Sequence, residues 1–296
     1  MRPVPFVAGW QVGPVVLGTF EARLGLDDER LFAGHYPGAP IFPGSFLIEA
    51  LFQAVSTALG GEVCLEEIVA CRFHAPLLPG DELSARFALK EAGGGEMLVE
   101  ATANGRAPAA NITMRVATST TTRQGSIASA PPWEQSEPSA RALDASFIRR
   151  VLPHRPPALL VDSALVLDLP GAKPALIARK AVTAGEPCYA SAKPTSTWSY
   201  PRSLVVESFC QACGLLRAAR GSTDEPRDEA KVPVVAKLAG LRFTGDARPG
   251  DLVEHHVQLV IRTGEGAVFS GQTVVAGRVI LQVARVVAAR AELPAR

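Results

Sequence analysis

Several features that would tie a chain to a special setting are missing. Only 6% of the 296 residues are aromatic. No segment approaches the roughly 20 apolar residues that a membrane helix needs without interruption by charge, Gly or Pro. The stretch from Met1 to Phe6 carries an arginine and two prolines and lacks the continuous apolar region of a secretory signal. A dominant charge is missing too: the formal balance is +1, which supplies no basic stripe for a nucleic-acid backbone. The five cysteines Cys64, Cys71, Cys188, Cys210 and Cys213 are odd in number and lack the paired spacing of a zinc site. Cys210 and Cys213 form a C-x-x-C inside an apolar, helix-like run, which reads as small core residues. The expectation is a cytoplasmic protein in a reducing compartment, with no metal, no cofactor, no membrane and no nucleic acid.

What is present is a 47% hydrophobic content over a length that suits two ordinary domains, each with its own core. The stretch from Thr118 to Asp144 is rich in Ser, Thr, Ala, Pro and Gln and has no apolar period, so it reads as a linker. Trp133 within it could anchor it to a surface. The predicted organisation is therefore an N-terminal domain over 1–117, a linker over 118–144 and a C-terminal domain over 145–296.

The chain repeats itself across that linker. Leu47-Ile48-Glu49-Ala50-Leu51-Phe52-Gln53-Ala54 in the first half matches Val205-Val206-Glu207-Ser208-Phe209-Cys210-Gln211-Ala212 in the second, both containing Glu-x-x-x-Gln-Ala. Cys71-Arg72-Phe73 leads to Pro79-Gly80-Asp81 with the same internal spacing that takes Leu241-Arg242-Phe243 to Pro249-Gly250-Asp251. Each Pro-Gly suits a tight turn between strands. The polar stretch from Gly221 to Lys231 reads as an insertion that changes the offset between the two matches.

One long helix per half followed by several strands predicts an α+β architecture. The helices are expected over Ser45 to Leu59, stopped by Gly60-Gly61, and over Ser203 to Arg220. Strand candidates include Glu82 to Lys90, Met97 to Asn104, Leu159 to Asp168, Leu252 to Ile261 and Ala267 to Val275. Phe46, Leu47, Ile48, Leu51, Phe52, Val55 and Leu59 cannot share one helix face, so the first helix must be enclosed. A sheet wrapped around a central helix supplies that enclosure.

The segment Gly34-His35-Tyr36-Pro37-Gly38-Ala39-Pro40-Ile41-Phe42-Pro43-Gly44-Ser45-Phe46-Leu47-Ile48-Glu49 resembles the active-site segment of the FabA/FabZ-type 3-hydroxyacyl-ACP dehydratases, down to the fourteen positions from histidine to acid. Leu152-Pro153-His154-Arg155-Pro156-Pro157 resembles the same family's N-terminal segment. In the second half Lys193 stands fourteen positions before Glu207, where the family would place its histidine. Phe42 replaces the family's usual methionine, and the first half lacks the Leu-Pro-His-Arg-Pro segment.

The resemblance implies a double hotdog, two tandem hotdog domains forming an intramolecular pseudo-dimer, either alone or in a larger assembly of such units. It implies a lyase that removes water from 3-hydroxyacyl thioesters on acyl carrier protein in fatty-acid or polyketide synthesis. Because the family's histidine and acid come from opposite subunits, His35 is expected to pair with Glu207, and Lys193 to face Glu49 in a degenerate second site. Histidine suits abstraction of the C2 proton. A carboxyl on an apolar helix, its pKa raised by burial, suits donation to the departing hydroxyl or retention of the leaving geometry. Tyr36, Phe42, Pro43, Gly44 and Gln211 are expected to line the substrate site, with backbone N–H groups at the helix start polarising the thioester carbonyl.

Other histidines are read as structural: His154 as a loop residue near a helix end, His74, His255 and His256 as strand or surface residues. Some of Arg23, Arg141, Arg149, Arg150, Arg155 and Arg202 are candidates for docking an acidic carrier. Two readings from other classes stay open: a hotdog thioesterase, which would not need His35, and a non-catalytic acyl-binding or scaffold subunit.

Overall fold

A computed structural model describes residues 9–60, 63–117, 126–127, 139–168, 173–190, 198–220, 231–264 and 266–292. The first half comprises β1 (Gln11–Val12), β2 (Thr19–Gly25), α1 (Gly44–Ala58), β3 (Cys64–Phe73), β4 (Glu82–Gly93), β5 (Glu96–Asn104) and β6 (Pro108–Ala117). The rest comprises β7 (Ser126–Ile127), β8 (Ser139–Leu143), α2 (Ala145–Val151), β9 (Ser163–Asp168), β10 (Ala175–Ala181), α3 (Arg202–Ala219), β11 (Lys231–Phe243), β12 (Leu252–Arg262), β13 (Gly266–Val275) and β14 (Arg278–Glu292).

The strands form one antiparallel sheet in the order β1-β2-β4-β5-β6-β3-β11-β14-β13-β12-β10-β9-β8, with β7 attached to β14. Read outward from the β3–β11 seam the order is the same in both directions, because β6, β5, β4 and β2 correspond to β14, β13, β12 and β10. The seam's register obeys the same symmetry. Leu238 lies opposite Cys71 and Leu241 opposite Ile68, and the repeat that carries Cys71 onto Leu241 carries Ile68 onto Leu238. Two hotdog units, each a helix against a curved sheet, therefore share one continuous sheet.

Local sequence explains the elements. In β2 the alternation Thr-Phe-Glu-Ala-Arg-Leu-Gly buries Phe20, Ala22 and Leu24 and exposes the residues between them, the period-2 pattern of a strand with one face on a core. Phe20 lies opposite Phe87 on β4 and stacks on it at 4.3 Å between ring centroids. Helix α1 begins at Pro43, whose fixed φ suits a helix entry, and ends at Gly60, whose φ of +65° is the left-handed conformation that closes many helices. Leu47, Ile48, Ala50, Leu51, Ala54 and Val55 are all buried on it, while Phe46, Phe52 and Leu59 are only partly covered, so the enclosure is less complete than its composition led one to expect.

The two Pro-Gly turns are built alike. Gly80 and Gly250 have φ of +80° and +99°. Asp81 accepts from the Leu78 amide at 2.8 Å, and Asp251 from the Arg248 amide at 2.7 Å.

Both long helices start and stop one residue earlier than expected. The linker is shorter than expected: its last five residues before Asp144, Ser139–Leu143, form β8 and pair with β9 at the sheet edge. Small residues carry that strand, which hid its alternation. His255 and His256 are not surface residues; both are buried, and His255 is fully enclosed. Trp133, Lys193 and the insertion over 221–230 lie outside the described residues. All five cysteines are free, and burial pushes the thiols of Cys210 and Cys213 well up, as core residues require. No helix among the described residues is long and apolar enough to cross a membrane.

Candidate active site

His35 sits in a tight loop between a short 3-10 turn, Glu29–Phe32, and α1. Three residues in and around it take left-handed backbone conformations, Gly34, Tyr36 and Gly38 with φ of +74°, +54° and +93°. At Gly34 a side chain is impossible for a second reason, since a Cβ there would stand 2.0 Å from the Arg155 carbonyl oxygen. The Arg155 amide donates to the Gly34 carbonyl at 2.7 Å. The His35 loop of the first lobe is thus sewn to the Leu152–Pro157 segment of the second.

That sewing brings three side chains together. His35, His154 and Glu207 each present a nitrogen or carboxylate oxygen within 4.8 Å of the others. The ring centroids of His35 and His154 are 5.1 Å apart, and Tyr36 closes the group edge-on to both imidazoles. The Tyr36 hydroxyl donates to the Pro233 carbonyl across the seam. Glu207 comes from α3, so this group draws on both lobes, and His35 stands beside Glu207. The three donor atoms also have the spacing of a cation-binding set, which the sequence did not suggest because His154 is remote from both partners along the chain.

His35 is held as a neutral base. Its Nδ1 lies 2.9 Å from the Ile41 carbonyl oxygen. A carbonyl only accepts, so Nδ1 carries the hydrogen and Nε2 keeps a lone pair. Burial drives its pKa down to about 4, with the charge of Glu207 opposing, His154 assisting and the Ile41 bond opposing.

Glu207 departs from expectation. Burial alone would raise its pKa, but the hydrogen bond and charge of His154, then His35 and Gln211, overcome it and hold the carboxyl at about 2. His154 Nε2 lies 3.3 Å and Gln211 Nε2 3.0 Å from the same oxygen, Oε1. Of the two roles expected of this carboxyl, donating a proton or holding the leaving geometry, its two donors and depressed pKa favour the second.

Gln211 fixes more than Glu207. Its Oε1 accepts from the Leu160 amide at 2.9 Å and its Nε2 donates to the Ala158 carbonyl at 2.8 Å. It is therefore a brace that joins α3 to the loop behind His154. His154 itself was assigned a structural loop role; the structure puts it against Glu207. The signal that could have found it was its place in the Leu-Pro-His-Arg-Pro segment.

Other expected site residues have different duties. The absent side chain of Gly44 makes room for the Phe73 ring, whose atoms lie 2.9–3.5 Å from an added Cβ. That space is filled by the protein and is not a cradle. Phe42 is buried between Phe32 and Phe46. Pro43 caps α1 without a side-chain hydrogen bond, and no acid lies in the first turn, so the positive end of the helix dipole is not neutralised by its own side chains.

In the other lobe Glu49 is buried at the mirrored position. It accepts from Gln53 at 3.2 Å, as Glu207 does from Gln211, and from the Ser203 hydroxyl at 2.7 Å. Arg202, a carrier-docking candidate, is instead committed to the interior: it pairs with Asp246 at 2.8 Å, lies 4.0 Å from Glu66 and donates to the Leu65 carbonyl. A small, open recess lies between the lobes, lined by Phe46 and Arg30 from the first and by Ala158, Leu160, Cys188 and Leu204 from the second.

The family model described as ApeI dehydratase matches residues 19–106, and the one described as FabA-like domain matches residues 152–284. The chain is 38% identical over 142 residues to a 3-hydroxyacyl-[acyl-carrier-protein] dehydratase FabZ from Anaeromyxobacter sp. (strain Fw109-5), spanning 87% of that protein and 46% of this one. It is 34% identical over 135 residues to the FabZ of Campylobacter concisus (strain 13826), spanning 88% of that protein and 45% of this one. In structure it is similar to the dehydratase domain from the CurJ module of the curacin polyketide synthase, with a TM-score of 0.65, 13% identity, and coverage of 97% of this chain and 96% of that one. The dehydratase domain of PpsC from Mycobacterium tuberculosis aligns with a TM-score of 0.61, 20% identity, and coverage of 97% and 99%. These structural likenesses establish the double hotdog fold.

Proposed function

The chain belongs to the FabA/FabZ-type 3-hydroxyacyl-thioester dehydratase family, and from that premise we propose that it performs the dehydration at one site, made by His35 of one lobe and Glu207 of the other. The observation that carries the assignment is the meeting of His35, His154 and Glu207 within 4.8 Å across the lobe boundary. The substrate is a 3-hydroxyacyl thioester and the product the 2-enoyl thioester, in fatty-acid or polyketide synthesis. An acyl carrier protein, the carrier named for the FabZ relatives, presents the chain.

The chemistry follows from the protonation states. His35 Nε2, carrying a lone pair, takes the proton from C2, and the C–H electrons pass into the thioester enolate. N–H groups in the first turn of α1 face the developing charge on the carbonyl oxygen. The C3–O bond then breaks as the C2–C3 double bond forms. Because Glu207 is ionised, the proton for the departing hydroxyl comes from the His35 imidazolium, so water leaves and His35 returns to neutral. Glu207 accepts a hydrogen bond from the 3-hydroxyl, steadies the transient imidazolium, and holds the leaving oxygen on the side from which His35 reprotonates it. His154 and Gln211 keep the carboxylate aimed.

The test is a single assay. Purified protein incubated with 3-hydroxyacyl thioesters of several chain lengths should yield 2-enoyl product, or hydration in reverse, and His35→Ala should not. Release of free thiol that persists undiminished in His35→Ala would favour a thioesterase instead, and no change in any substrate would favour an acyl-binding subunit.

A further inference from the structure

We infer that Ser45 is a substrate-binding residue, its hydroxyl holding the 3-hydroxyl of the bound chain opposite the Glu207 carboxylate. The inference deepens the dehydratase reading and rests on it for the identity of the ligand. The observation behind it is a broken symmetry. The repeat that carries Glu49 onto Glu207 and Gln53 onto Gln211 carries Ser45 onto Ser203. In the second site Ser203 Oγ donates to Glu49 Oε2 at 2.7 Å, from the first turn of α3 to the middle of α1. By the same repeat, Ser45 in the first turn of α1 is the counterpart expected to stand toward Glu207 in the middle of α3, the two helices being in contact.

That mirrored bond is not made. Ser45 is buried, 4% exposed, and its Oγ has no hydrogen-bond partner among the described residues. Glu207 takes His154 and Gln211 both on Oε1, and among the described residues nothing donates to Oε2. The site that carries His35 therefore leaves one hydroxyl donor and one carboxylate acceptor uncommitted on facing helices, where the site without it joins them. A buried hydroxyl without a partner costs stability, and an alanine would fill the place at no such cost. A substrate hydroxyl satisfies both groups at once: its hydrogen goes to Glu207 and its oxygen accepts from Ser45. As the C3–O bond breaks, charge grows on that oxygen and the bond from Ser45 strengthens, so the contact favours the transition state over the ground state.

The measurement is made on the full chain. Ser45→Ala should lower kcat/KM for a 3-hydroxyacyl thioester about tenfold, the cost of one hydrogen bond to a reacting group. Its Tm should be unchanged or higher, because the orphaned hydroxyl is gone. Inhibition by the matching saturated acyl thioester, which lacks the 3-hydroxyl, should be unaltered. Ser45→Cys, nearly isosteric and a weak donor, should fall between wild type and Ser45→Ala, and it carries the test if the alanine variant does not fold. Ser203→Ala should show the opposite pattern, a lower Tm with a smaller effect on kcat/KM. Wild-type kinetics in Ser45→Ala, or equal weakening of the hydroxylated and saturated chains, would overturn the assignment. A wild-type protein without dehydratase activity would sink the functional reading by itself, while the binding contrast between the two thioesters would still decide the role of Ser45.

Discussion

At the scale of single residues, the behaviour of His35 with pH follows from its surroundings. A base must be unprotonated to accept a proton, and burial holds His35 neutral down to about pH 4. The acid limb of kcat/KM should therefore lie near pH 4 to 5, where an ordinary imidazole would give one near 6.5; a limb at 6.5 in a pH–rate profile would contradict the environment described. His35→Ala should lower dehydration by about 10²–10⁴-fold, the usual worth of a general base, while leaving circular dichroism unchanged. Gly34→Ala should be nearly as damaging for a different reason. Its methyl group would collide with the Arg155 carbonyl, forcing apart the two loops that bring His35 to Glu207, so Tm and turnover should fall together. The sequence pointed to His35 through the family resemblance of its segment, and to Glu207 through the internal repeat. His154 and Ser45 were not legible as site residues, because their roles depend on approach between lobes and on which bonds are left unmade.

At the scale of elements, α3 and β12 share a buried polar link that governs acid stability. His255 on β12 has Nε2 2.7 Å from Ser208 Oγ on α3 and Nδ1 2.9 Å from Thr273 Oγ1 on β13. Burial, with His256 beside it, lowers its pKa to about 3. Between pH 6.5 and about 3 the unfolded chain holds a proton at this residue that the folded protein refuses. Stability should therefore fall on acidification through that window, by up to about 1.4 kcal/mol per pH unit. His35 adds a loss of the same sign between 6.5 and about 4. Glu207, depressed to about 2, contributes stability above pH 4.5 that is lost as pH drops toward 2. Denaturant unfolding at pH 7 and pH 5 should show the decline, and His255→Asn, less stable at pH 7, should show a shallower one. Pattern and composition located the two long helices to within a residue, because Pro and Gly punctuate their ends, but did not show the short α2. They failed at β8, where Ser-Ala-Arg-Ala-Leu offers too little apolar contrast; they placed His255 on a strand, as found, but could not show that it is buried against hydroxyls on separate elements.

At the scale of the whole molecule, the proposed active site lies where the two lobes meet, and β3 and β11 pair across that meeting. Residues 1–117 and 139–292 produced as separate chains should each lack turnover, since His35 lies in one and Glu207 in the other. Co-expression should restore activity to the extent that the seam reforms; activity in either piece alone would mean that the site is not shared. The double hotdog itself was legible from one helix per half and from matching turns, whereas the continuity of the sheet through the seam was not, because strand pairing across halves leaves no periodic trace.

The covalent joining of the lobes also changes how the site responds to dilution. An enzyme whose histidine and acid arrive on different chains loses its catalytic centre when its subunits dissociate. Here the second half is covalently joined to the first, so it meets it at a local concentration that dilution does not change. Specific activity should consequently stay level as the protein is diluted into the nanomolar range, and two unlike half-sites can persist side by side because nothing exchanges them.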